Sequence, residues 1–287
     1  MLRKLICLCG WGYALAACAE APVEYRFIDA LADPKRWAPE ECGTAVSPRT
    51  AWEHPSVRMH IPVDFATGEK KYPIGWPRMY LNLKPDEQAW QAYDRFEFQL
   101  FTESSRTNLP KRPLMFHVYG PQEQKKLFSL DLATLGASKT FTVNITDLGI
   151  TGNVARLGFN INEADYADKD VVDFHLGGFR LARATAAQVT ELKAATPALF
   201  CDSRVLPVEL VVEGPPEKLD AGIPFHLCCG TNVALSQTAS ARRGRQTIYL
   251  PLYGAKPEPG AYTLVAYPYS PEQRKEVTVT IVSSPWK

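Results

Sequence analysis

Three histidines, His60, His117 and His175, each fall in a segment where apolar and polar residues alternate. Alternation of this kind puts every second side chain on one face of a strand. Reading off the polar positions of these and neighbouring segments gives Arg58, His60, Arg95, Glu97, Gln99, His117, Tyr119, Asn160, Asn162, Asp173 and His175. A face that only meets water is expected to carry Lys, Glu, Thr and Ser. Here imidazoles, amides, guanidinium groups and a phenol prevail, and these supply directional donors and acceptors. Sugar hydroxyls call for that chemistry, in a hollow with one or two aromatic platforms. Should the positions scatter over both sheets of a sandwich, the same residues form an ordinary solvent-facing or inter-sheet surface.

A second group lies in Tyr72-Pro73-Ile74-Gly75-Trp76-Pro77-Arg78-Met79-Tyr80. Its prolines and glycine resist regular pairing. Tyr72, Trp76 and Tyr80 would offer flat faces to pyranose rings, and Arg78 a bidentate site for a carboxylate or sulfate. The competing reading has Trp76 closing one end of a hydrophobic core. A third group, Glu163, Asp165, Asp168 and Asp170, crowds one loop with carboxylates, as a structural Ca2+ requires, although the spacing is not that of an EF-hand. An acidic surface loop without metal is the alternative.

Catalytic signatures are missing. No G-x-S-x-G, H-E-x-x-H or P-loop occurs. Glu97 facing Asp173 or Glu163 would make a glycosidase-like carboxylate pair. His117 or His175 with Tyr119 would supply base and acid for a polysaccharide lyase. Binding is the leading expectation and these enzymes its competitors, beside a structural envelope protein that contacts other proteins. Arg242-Arg243-Gly244-Arg245 forms a basic hairpin tip, exposed to water or to an anionic partner.

The elements that must position these groups are strands. Val57–Val63, Arg95–Phe101, Leu114–Tyr119, Arg156–Asn162 and Asp173–Leu181 alternate with period two and are separated by Gly, Pro and Asp turns. A second set, from Val208 to Ile281, follows a stretch of helix formers at Thr185–Ala195 that stops at Pro197. The expected fold is all-β. A jelly-roll sandwich occupies 18–184, a linker helix 185–197, and a smaller immunoglobulin-like sandwich 198–287. The 287 residues suffice for two such bodies. Lys plus Arg at 32 against Asp plus Glu at 31 leaves no basic field for nucleic acid.

The start of the chain reads as an export signal. A basic Arg3-Lys4 precedes an apolar run, Leu5 to Ala17, that is too short to span a bilayer. Its end, Leu15-Ala16-Ala17-Cys18, is similar to the lipobox of bacterial lipoproteins, so Cys18 is expected to carry lipid and anchor the protein to a membrane. Ordinary cleavage after Ala19 or Ala21 is the alternative. Either route places the mature protein outside the cytoplasm, and the lipid would hold it in the cell envelope, at the outer membrane or cell surface. Cys42, Cys201, Cys228 and Cys229 then remain for two disulfides, with Cys201 to Cys228 or Cys229 the shortest-range pairing.

From about Tyr72 to Arg183 the chain resembles galactose-binding-like, carbohydrate-binding-module jelly rolls. The likeness rests on Trp90–Phe98, Leu114–Tyr119, Arg156–Glu163 and the closing Asp173-Phe174-His175-Leu176-Gly177-Gly178-Phe179-Arg180-Leu181. It implies glycan binding on loops or a concave face, often beside a structural calcium ion, and mostly without catalysis. Lys169 departs from the glycine usual in the family's acidic loop.

Overall fold

The computed structural model describes residues 23–66, 75–122, 124–131, 133–253, 255, 257–267 and 273–286. The expected export signal, Cys18 and Tyr72 lie outside them. The described chain is almost wholly β and holds two hydrophobic cores, one drawn from residues 28–181 and the other from 187–281. Among the described residues no helix is long and apolar enough to cross a membrane.

The first core fills a sandwich of two antiparallel sheets. In the back sheet, β3 (Gly43–Val46), β4 (Ser56–Pro62), β11 (Val171–Ala184), β6 (Arg95–Ser104) and β9 (Ser138–Asn144) lie in that order, and β1 (Val23–Phe27) pairs the far half of β11. The front sheet runs β2 (Ala38–Glu40), β5 (Arg78–Asn82), β10 (Arg156–Asn160), β7 (Met115–Tyr119) and β8 (Lys125–Ser129). From β4 to β11 the chain passes repeatedly between the sheets, the jelly-roll habit. Apolar residues at period two turn inward from both. Phe96, Phe98, Phe116, Phe159 and Phe179 pack ring on ring, with Trp90 stacked 4.4 Å over Phe96. Burial of these large rings is the main force holding the sheets together.

The second sandwich sets β12 (Gln188–Ala194), β14 (Val205–Glu213) and β17 (Gly244–Pro251) against β13 (Leu199–Phe200), β19 (Lys275–Val282), β18 (Gly260–Ala266), β15 (Ile223–Cys229) and β16 (Asn232–Ala239). Among the described strands of this body only β13 with β19 pairs in parallel. The first strand of this body is divided between its two sheets, one of which carries the last two strands.

Two expectations need correction. The linker helix is absent: residues 188–194 form β12, which pairs β14 and sinks Val189 into the second core. Helix propensities of a few tenths of a kcal/mol per residue lose to a ladder partner and a core position. The Cys201–Cys228 disulfide is also absent, since Cys42, Cys201, Cys228 and Cys229 are all free thiols. Cys201 follows β13 while Cys228 sits on β15, with β19 and β18 between them. Three strand spacings of about 4.8 Å exceed what a disulfide bridges.

Only residues 185–187 separate β11 from β12, and the junction is tied by charge. Asp94, nearly fully buried, accepts from the Ala184 amide at 2.8 Å and the Gly214 amide at 3.3 Å. Arg95 holds Glu213 across the junction, and Gln188 donates to the same carboxylate.

Candidate functional site

The polar residues read from the sequence do not share one groove. They divide between the two outer faces of the first sandwich, because period two reports the face of a strand and not the sheet that the strand joins.

On the back sheet stand Arg58, His60, Arg95, Glu97, Gln99, Asp173 and His175, and most are held by each other. His60 Nδ1 lies 2.9 Å from Asp173. Glu97, buried, is clamped by Arg95 at 2.6 Å and Arg180 at 2.7 Å. Arg180 is in turn sandwiched between the rings of Tyr25 and Trp52, at 3.8 and 3.6 Å. The His175 imidazole is buried under residues 47–49. Ser47 Oγ accepts from the Arg49 amide at 3.0 Å and lies 2.9 Å from His175 Nδ1, to which it donates in the neutral imidazole whose proton Glu103 holds on Nε2. Nε2–H then points to Glu103, 3.3 Å away. Serine, histidine and carboxylate are aligned, but Ser47 is only 8% exposed and occupied on both sides. The arrangement fastens the segment over the sheet and offers no nucleophile to a substrate. Burial lowers the His175 pKa below that of a free imidazole.

The front sheet differs, because a hollow of about 480 Å³ opens on its outer face. Its floor follows from strand register. Tyr80, Gly158, His117 and Leu127 lie side by side across β5, β10, β7 and β8, and Asn160 and Met115 form the adjoining row. A Cβ at Gly158 would stand 2.5 Å from the Tyr80 ring and displace it, so glycine lets that ring lie close to β10. His117 is almost entirely buried and bonded at both nitrogens. Nε2 meets Asn160 Oδ1 in a short contact, and Tyr119 OH donates to Nδ1 at 3.2 Å. Asn160 passes its amide on to the Ile161 carbonyl at 3.3 Å. Burial drives the His117 pKa down to about 4, and the nearby Lys125 and Arg156 charges push the same way. At neutral pH the imidazole is therefore uncharged, with Nε2 carrying the proton and neither nitrogen free to abstract one.

The rim is made by the segment before β5. Trp76 is 51% exposed and lines the hollow with Gly75, Asn162 and Asp165. Two carboxylates fix that segment through its backbone: Glu163 accepts from the Gly75 amide at 2.8 Å, and Glu41 accepts from the Trp76 amide. A Cβ on residue 75 would lie 2.6 Å from one carboxylate and 2.8 Å from the other, so only glycine permits the grip. Burial raises the Glu163 pKa above the usual carboxylate range; the Gly75 and Asp64 amides act against that, and Glu41 and Asp64 add to it.

Of the sequence-derived ligand residues, Trp76, Arg78, His117, Tyr119, Asn160 and Asn162 thus belong to the front face, with Trp76, His117, Asn160 and Asn162 lining the hollow itself. Arg78 is ion-paired with Glu40 and not open to an incoming anion. His60, Arg95, Glu97, Gln99 and His175 are on the opposite side. The four carboxylates expected around calcium do not converge. Glu163 holds Gly75, Asp168 accepts from the Phe65 amide, Asp170 pairs with Arg106, and Asp165 faces the hollow. Among the described residues no three His, Cys, Asp or Glu side chains gather as a metal set. The hollow's described lining has one carboxylate, Asp165, where glycosidic hydrolysis uses two.

Sequence reading missed Arg112, Met115, Lys125, Leu127 and Arg156. Lys125, Leu127 and Arg156 become recognisable only when β8 and β10 are placed beside β7. Arg156 lies 4.1 Å over the Tyr119 ring and 5.0 Å from Tyr80, and Lys125 Nζ is 5.3 Å from Tyr119.

No family model matches the chain, and no curated protein matches it by sequence. Among solved structures, a β-1,2-glucanase from Parabacteroides distasonis overlaps 92% of this chain and 37% of its own length, at 13% identity and a TM-score of 0.37. An exo-β-agarase overlaps 52% of this chain and 23% of its own, at 9% identity and a TM-score of 0.36. A carbohydrate-binding module with specific mannan recognition overlaps 58% of this chain and 100% of its own, at 12% identity and a TM-score of 0.30. The chain thus spans well under half the length of either enzyme. These likenesses assign no residue a role.

Proposed function

We propose that the protein binds a glycan in the hollow of the front sheet, without cleaving it. One observation carries this reading: a rigid polar floor, His117 with Asn160, lies beneath an exposed Trp76 whose backbone is clamped by two carboxylates. Sugar recognition combines a flat apolar surface for C–H faces with directional polar groups for hydroxyls, all preorganised so that little ordering is left to binding. Trp76, Met115 and Leu127 supply the first, and Asn160, Asn162 and Asp165 the second. Both His117 nitrogens are already engaged within the protein, which suits a positioning role better than proton transfer.

The anchored, extracytoplasmic setting belongs to the same proposal and is supported by Arg3-Lys4, the apolar run and Leu15-Ala16-Ala17-Cys18. A membrane-tethered binder would hold a polysaccharide near the cell. Mass spectrometry of the mature N-terminus tests the anchor: a diacylated Cys18 supports it, and an unmodified terminus at Ala19 or beyond overturns it.

Affinity electrophoresis of the protein through gels containing mannan, xylan, β-glucan, agarose, pectate, alginate or chondroitin sulfate tests the binding. Retardation by at least one polymer, lost in Trp76→Ala, is expected. Unchanged mobility in every gel refutes glycan binding. Release of reducing ends or of unsaturated uronates from any of them refutes the claim that it does not cleave.

A further inference from the structure

The front face carries cations that, among the described residues, no carboxylate neutralises. Arg112 and Lys125 line the hollow, and Arg156 lies beside its floor on β10. Among the described residues none of these three has a carboxylate within ion-pair distance, whereas Arg78 next to them is neutralised by Glu40. On the back sheet Arg58 is matched with Asp173, Arg95 with Glu97 and Glu213, and Arg180 with Glu97, while Arg26 donates to the Asp86 carbonyl. The hollow thus gathers three cations without a carboxylate partner on one patch of the front face.

Its geometry is also set in advance. Arg156 is laid over Tyr119 and Tyr80, and Lys125 approaches the other side of Tyr119. Ring contacts of this kind hold a cation in place without cancelling its charge, so the field persists toward the solvent. The depressed His117 pKa registers the same field, as both charges act on the imidazole. A neutral sugar has no use for it. A polymer bearing a negative group on each residue gains charge-assisted hydrogen bonds and releases counterions on binding.

Resting on the glycan reading above, we infer that the ligand is an acidic polysaccharide, with Arg112 and Lys125 receiving its carboxylate or sulfate groups while Trp76 covers a sugar face. Arg156 orients Tyr119 and adds to the field. Asp165, the single carboxylate of the lining, then limits how closely an anion approaches that end and directs the acid group toward the β7–β8 side.

Isothermal titration of the full chain with matched polymer pairs decides the matter: polygalacturonate against its methyl ester, and chondroitin sulfate against desulfated chondroitin. Tight binding to an acidic member, at least tenfold weaker binding to its neutralised or less charged partner, and about tenfold loss in each of Arg112→Gln and Lys125→Met are expected. Affinity should fall as salt rises, with a shallower slope in both variants. Both side chains are on the surface, so circular dichroism should be unchanged. The polygalacturonate arm reports a carboxylate preference and the chondroitin arm a sulfate preference. Equal binding of both members of a pair, or of neutral mannan and xylan, with no effect of the two substitutions, overturns the acidic assignment and leaves glycan binding intact. Binding of no polymer, acidic or neutral, overturns both.

Discussion

The Arg95 guanidinium of the first sandwich reaches the Glu213 carboxylate of the second, Nη1 to Oε2 in 2.7 Å, where both side chains are largely shielded from water. Burial raises the Glu213 pKa, and the Arg95 charge acts against it. Removing one member leaves the other buried with less compensation, at a cost of about 3 kcal/mol. Glu213→Ala is expected to lower the melting temperature by several degrees and to split one calorimetric transition into two. A single unshifted transition would show that the junction is held by something else.

Trp76→Ala is expected to weaken polysaccharide binding by about 1.5 kcal/mol, or roughly tenfold, with almost no change in melting temperature, since half of the ring is already in water. A drop of several degrees would place Trp76 in the packing instead. Glu163→Gln keeps the shape but replaces a two-oxygen acceptor at the Gly75 amide, so it should weaken binding while Trp76 itself is intact.

The pH dependence follows from His117. Its folded pKa, about 4, lies below the free value of 6.5, so the unfolded chain takes up the proton more readily. The stability this contributes is full above 6.5 and is lost as pH falls from there toward 4, a loss on the order of 3 kcal/mol. Urea unfolding at pH 7 and pH 4.5 should show it. In His117→Gln the difference between the two pH values should shrink, with His175, shifted in the same direction, accounting for part of what is left. An unchanged difference would refute the assignment to His117.

Reduction should leave the protein's stability untouched. With Cys201 just after β13 and Cys228 on β15, two strands between them, the melting temperature is expected to be the same with and without dithiothreitol, and Cys201→Ser should change it by under one degree. A loss of several degrees on reduction would restore the disulfide.

Much of the architecture was written in local alternation. Arg95–Phe101 and Arg156–Asn162 announce strands, and the Phe residues among them announce which side is the core. The candidate site was legible only in part. His117 and His175 have the same neighbours in kind, yet one floors a hollow and the other sits under a loop on the far side of the molecule. Which sheet a strand joins depends on contacts far apart in sequence. The helix expected at Thr185–Ala195 failed for the same reason: its composition is helical, but β14 offers residues 188–194 a partner and a core. Gly158 is silent in sequence, and its meaning comes from the Tyr80 ring beside it.

The three residues between β11 and β12, with Asp94 gripping the backbone at both Ala184 and Gly214, leave no slack for a swivel. The two bodies form a bracket and not a pair of beads on a string. A polymer held on the front sheet as proposed would, through that bracket, set the compass bearing of the carboxy-terminal sandwich as well.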